Sequence, residues 1–94
     1  MDLLELRKQI DEIDDKLIPL LEKRMEVVAQ VAEYKAQHGI PVLNEQREKE
    51  ILDGIKAKCG GDGEAIATVF AAIMKTSREK QHRLIGDGAQ SDEA

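Results

Sequence analysis

Ninety-four residues suit one domain, with a single core that would be only marginally stable alone. With 41% hydrophobic, 35% charged and 2% aromatic residues, the chain reads as a surface-rich helical protein and not as a disordered one. The formal net charge of −5 speaks against nucleic-acid and anionic-membrane partners, which need a basic face, and means that an anionic ligand would require a local cationic cluster.

No apolar run approaches the roughly 20 residues needed to span a bilayer. The acidic, amphipathic start Met1-Asp2-Leu3-Leu4-Glu5 is unlike a secretory signal peptide. A single cysteine, Cys59, allows no internal disulfide and no multi-thiolate metal site, so a reducing cytoplasm is the simplest location. Cys59 precedes Gly60-Gly61 and reads as a bystander at a helix end, since no helper histidine adjoins it.

Asp2 followed by Glu5 has the form of a capping box, in which Asp2 accepts from exposed backbone N–H groups. From there apolar residues recur in steps of three and four: Leu3, Leu6, Ile10, Ile13, Leu17 and Leu20, then Val27, Val31 and Tyr34. This heptad seam predicts a long helix packed lengthwise against others. Gly39 supplies a C-terminal stop and Pro41 prevents resumption. Pro19 removes a backbone donor inside the pattern and is read as a local kink, with a break into two helices as the alternative.

A second helix is expected from about Glu45 to Lys58, burying Ile51, Leu52 and Ile55 and ending at Gly60-Gly61. A third is expected to start near Asp62, a plausible N-cap, with Ile66, Phe70, Ile73 and Leu84 on one stripe before Gly86 stops it. Residues 86–94 are small, polar and acidic, consistent with a disordered tail or linker stub after a helical domain over 1–85. The fold class is therefore all-α, with one long and two shorter helices. A first helix of some 35 residues would be about 50 Å long, against a radius of gyration near 13 Å for a compact chain of this size. Its seam needs a second chain to cover it, and an intertwined homodimer is expected.

Polar residues interrupt these stripes. Where the seam calls for an apolar side chain the sequence has Arg24. The step after Ile73 lands on Ser77 and then on Lys80 or Gln81, and the second helix's face runs back to Glu48, Arg47 and Asn44. A buried unpaired guanidinium costs several kcal/mol, so Arg24 must meet a counter-charge, a ligand or water. An internal Arg24–Glu48 salt bridge, or a polar position that sets coiled-coil register, would also satisfy it. Lys35 lies 11 residues on, about 20° around the axis and about 16 Å along it, so the two long side chains could clamp a small dianion. Ser77 and Gln81 are i, i+4 neighbours. Together these positions suit a small, oxygen-rich, doubly anionic molecule. Arg7 is about 25 Å from Arg24 and rotated by about 100°; it could complete a pocket only in a partner chain.

The segments Leu6-Arg7-Lys8-Gln9-Ile10-Asp11, Ile13-Asp14 and Leu20-Leu21-Glu22-Lys23-Arg24, followed by Lys35, Pro41-Val42, Arg47-Glu48, Ser77 and Gln81, resemble the all-helical dimeric chorismate mutases over roughly residues 3 to 85. Such domains occur alone or at the N-terminus of bifunctional prephenate dehydratases and dehydrogenases. The resemblance implies conversion of chorismate to prephenate in phenylalanine and tyrosine biosynthesis, with no cofactor. It implies that Arg24, with Arg7 of the partner subunit, binds the substrate carboxylates, helped by Ser77 and Arg47. Lys35 and Gln81 would hydrogen-bond the ether oxygen, and Glu48 and Asn44 the ring hydroxyl. Asn44 departs from the pattern, which has Asp there. A Claisen rearrangement needs no nucleophile or metal, which agrees with a sequence lacking a helical zinc pair, a phosphate loop or a Ser-His-Asp set. His38 and His82 are expected at the surface near helix ends. An isochorismate-pyruvate lyase of the same fold and a non-catalytic helical dimerisation module are the alternatives.

Overall fold

Asp2 is in extended conformation and its side chain accepts from Glu5 N at 2.9 Å, the capping bond that opens the first helix in this computed structural model, which is described for residues 2–86. Helix α1 then runs from Leu3 to His38, 36 residues without interruption at Pro19. Gly39 ends it at φ 64, ψ 32, a left-handed conformation that a side chain would strain, and its N–H returns to Lys35 O. Ile40 N bonds to the same carbonyl at 2.9 Å.

Helix α2 spans Glu45–Lys58, capped by Asn44, whose side chain accepts from Arg47 N at 3.0 Å. Its outer face carries the Lys49–Asp53 i, i+4 pair at 2.8 Å. Cys59 is the half-buried C-cap residue. Helix α3 spans Gly63–Ile85. The expected Asp62 cap is absent as a side-chain bond; the first turn closes through the backbone, Ile66 N to Asp62 O at 2.9 Å. The end of α2 passes close to Gly63: a Cβ there would lie 3.4 Å from the Lys56 backbone, in contact with it. The expected polar segment 86–94 lies, except for Gly86, outside the described residues.

The described residues are three helices with no strand, and α3 packs against both of the others. The packing face differs from the bulky stripes. On α1 the buried residues are Val28 and Ala32, one position on from Val27 and Val31. On α3 they are Gly63, Ala67, Met74, Ser77 and Gln81, while Ile66 and Leu84 stay exposed and Phe70 and Ile73 are half-buried. Small side chains let the helix axes approach, so Ala32, Gly63 and Ala67 share the intrachain face with Val28 and Met74, while most of the large aliphatics of the stripes stay exposed or half-buried. No residue of α2 is buried; Ile51, Leu52 and Ile55 are half-covered.

The result is elongated, 55 × 25 × 18 Å with a radius of gyration of 16.6 Å. Every residue from 2 to 20 is exposed, including the stripe Leu3, Leu6, Ile10, Ile13, Leu17 and Leu20. No helix among the described residues is long and apolar enough to cross a membrane.

Candidate active site

Where α1, α2 and α3 converge they enclose a cavity of about 310 Å³. Val28, Val31, Val42, Ile51 and Met74 form its apolar wall, and Arg24, Lys35, Asn44, Arg47, Glu48, Ser77, Arg78 and Gln81 supply its polar groups. Six of those eight polar positions are the ones the interrupted stripes single out, and Lys35 is the one placed by its spacing from Arg24. Four cations against one carboxylate give the cavity a formal charge of +3, inside a chain of net charge −5.

Each polar group is held by a definite contact. Arg24 Nη1 donates to Ser77 Oγ at 2.6 Å, and Ser77 Oγ donates its own hydrogen to Ile73 O at 2.8 Å. A guanidinium has only donors, and among the described residues no carboxylate forms an ion pair with Arg24. The Arg24–Glu48 salt bridge offered as an alternative does not form. Glu48 is instead bound by Arg78, whose Nη1 donates to both carboxylate oxygens. Arg78 is not among the residues expected from sequence, since it lies off the Ile73–Ser77–Gln81 stripe; its place four residues after Met74 puts it on the face that packs inward.

Lys35 Nζ donates to Val42 O at 2.7 Å, using one of three N–H bonds. Its pKa lies below the ordinary lysine value because burial disfavours the ammonium; the negative charge of Glu48 opposes that shift. Asn44 lines the cavity while its Oδ1 holds the α2 N-terminus, so the amide NH₂ is the group it can offer. Gln81 is 7% exposed, and its Oε1 is enclosed without a hydrogen-bond partner among the described residues. An unsatisfied buried amide costs about 1–3 kcal/mol, which a polar ligand would recover. The enclosed atom is the acceptor oxygen, so a donor role for Gln81 falls to its NH₂.

Lys80 turns away from the cavity and donates to Met25 O at 2.9 Å, so of the two candidate positions after Ser77 it is Gln81 that enters. Arg7 is exposed on the uncovered part of α1 and does not line the cavity. His38 is exposed, with Nδ1 2.8 Å from Tyr34 O and its ring stacked on Tyr34 at 4.0 Å. His82, three residues from the end of α3, is half-buried with Nδ1 enclosed, and so is more covered than expected.

The family model for chorismate mutase type II matches residues 6–82, which contain every cavity residue. The chain belongs to that family. Its relatives include a chorismate mutase of Methanocaldococcus jannaschii, 47% identical over 57 residues, covering 61% of this chain and 58% of that protein. A T-protein of Haemophilus influenzae is 34% identical over 84 residues, covering 86% of this chain and 22% of that protein. A bifunctional chorismate mutase/prephenate dehydratase of Aquifex aeolicus is 37% identical over 79 residues, covering 78% of this chain and 22% of that protein. The chain thus spans 58% of the length of the first relative and about a fifth of the other two. No solved structure matches. For a type II chorismate mutase chain, the cavity's cations, its one carboxylate and its buried amide are chemically apt: they can bind a compact dianion and direct hydrogen-bond donors at one of its oxygens.

Proposed function

We propose that this cavity is the active site of a chorismate mutase, converting chorismate to prephenate in phenylalanine and tyrosine biosynthesis. The observation that carries the reading is the +3 cavity in an acidic chain of this family, with N–H donors of Lys35 left open and Gln81 in its lining. Chorismate brings two carboxylates, a ring hydroxyl and an ether oxygen. Arg24 binds one carboxylate, aided by Ser77 and Arg47. Glu48 and the Asn44 amide hold the ring hydroxyl. Lys35 and Gln81 donate to the ether oxygen.

The reaction breaks the ether C–O bond and forms a C–C bond within one molecule, with no proton transferred. The protein therefore has two tasks. It holds the flexible enolpyruvyl arm over the ring, replacing a rare conformer in solution with the bound one. It also stabilises negative charge growing on the ether oxygen as C–O cleavage runs ahead of C–C formation, a preorganised donor of this kind being worth about 3 kcal/mol.

A second copy of the chain completes the site in this reading. The stripe from Leu3 to Leu20 is 44–67% exposed. Covering it would contribute on the order of 5–9 kcal/mol per chain, taking about half the full-burial value for each of six side chains. An antiparallel pair of α1 helices buries the stripe and carries Arg7 of the partner subunit to the second substrate carboxylate. The domain comprises residues 1–85, and the reducing cytoplasm is its location, in keeping with its single thiol.

The deciding assay incubates purified protein separately with chorismate and with isochorismate. Chorismate loss with prephenate as product supports the mutase. Pyruvate release from isochorismate without prephenate formation would make the protein a lyase instead, and no turnover of either compound would leave only a dimerisation module.

A further inference from the structure

Two cations in the cavity compete for one carboxylate. Arg78, from α3, holds Glu48 by both oxygens, and this pair is largely covered, with side-chain exposures of 29% and 24%. Lys35, from α1, experiences the Glu48 charge without a direct ion pair to it and spends one N–H on the Val42 carbonyl. The other charged groups that share the cavity with Lys35 are Arg24 on its own helix and Arg47 on α2, and neither is an acceptor. Glu48 is therefore the one group there able to neutralise Lys35. A buried carboxylate stripped of its guanidinium closes on the nearest remaining cation, and the flexible lysine stem makes that closure easy.

We propose that Arg78 is a positioning residue: by tethering Glu48 from the α3 side it keeps the carboxylate off Lys35, so that Lys35 retains open donors for the substrate's oxygens. The proposal rests on the reading of this cavity as a chorismate site, but its first test does not need turnover. Arg78 touches Glu48 and acts on Lys35 through it. The tether also fixes which carboxylate lone pairs face the cavity, since Nη1 occupies one side of both oxygens.

The experiment follows the Lys35 ammonium by side-chain nitrogen NMR across alkaline pH in the wild type, Arg78→Met, Arg78→Lys, Glu48→Gln and the Glu48→Gln/Arg78→Met double variant. Arg78→Met should raise the Lys35 pKa as Glu48 swings across to it. The double variant, compared with Glu48→Gln alone, should show only the small relief of cation–cation repulsion. In the chorismate assay, Arg78→Met should lower kcat about tenfold or more with a smaller change in KM, because the lost quantity is donor alignment in the reacting complex. Arg78→Lys should restore most of both effects. Should Arg78→Met fail to fold, Arg78→Gln, polar and helix-compatible, carries the same comparison.

An unchanged Lys35 titration in Arg78→Met overturns the proposal. So does a shift of equal size in the Glu48→Gln background, or a loss confined to KM, which would mark Arg78 as a direct substrate ligand. A wild-type protein that does not consume chorismate sinks the proposed function, while the titration still judges the tether.

Discussion

If Lys35 acts as proposed, replacing it by alanine should separate catalysis from folding in this protein. The side chain makes one internal hydrogen bond, to Val42 O at 2.7 Å, and its charge is disfavoured by burial. Losing the bond costs about 1 kcal/mol, and removing a partly desolvated charge offsets some of that. Stability should therefore fall by no more than about 1 kcal/mol, a few degrees in Tm for a chain of this size. In the proposed complex the other two N–H bonds of the same ammonium would serve the ether oxygen. Removing a preorganised donor of that kind costs about 2.7–4 kcal/mol in the transition state, which at about 1.4 kcal/mol per decade is a 10²–10³-fold fall in kcat. The assay is initial-rate chorismate consumption, with circular dichroism melting on the same samples. A kcat within threefold of wild type, in a protein that melts normally, would refute the assignment of Lys35 to the reacting oxygen. A collapse of both quantities would show that the lysine is structural.

Arg24→Ala should lower kcat and raise KM together, because its guanidinium would contact the substrate before and during reaction; a change in KM alone would point to uniform binding. Binding of a bicyclic dianionic mimic should take up protons in the pH range just below the ordinary lysine value. The sign follows from the depressed Lys35 pKa: the free site has shed part of its proton there, and an arriving dianion restores it, so calorimetry in buffers of different ionisation enthalpy should detect net uptake. The same depression means that the free protein gains stability as pH rises from the lowered Lys35 pKa towards the unfolded value. Asn44→Ala should cost about 1 kcal/mol of stability by removing the α2 cap, whereas Asn44→Asp should keep it, as urea titrations would show. Co-refolding equal amounts of Arg7→Ala and Lys35→Ala chains should recover about a quarter of wild-type activity, since half the dimers would be mixed and each would hold one intact two-chain site. No recovery would remove Arg7 from the site.

Much of this was legible in the sequence for local reasons. Asp2, Gly39 and Gly86 mark helix ends by a cap and by breakers that act within a turn, and α1 begins and ends, and α3 ends, where those residues place them. Most of the polar residues lining the cavity were visible as interruptions of apolar periodicity, because polar side chains gathered between helices must break the stripe that otherwise seals them. Three things were decided only in three dimensions. The packing faces of α1 and α3 use Val28, Ala32, Ala67 and Met74, since periodicity follows bulky side chains and cannot tell a face that closes on its own chain from one left open. Glu48 pairs with Arg78, 30 residues away, and not with Arg24. Lys35 spends a hydrogen bond on Val42 and loses basicity through burial. Sequence fixes which groups lie on a helix face; which of several cations reaches a given carboxylate depends on the rotation and separation of the helices, and those are set by packing across the whole molecule.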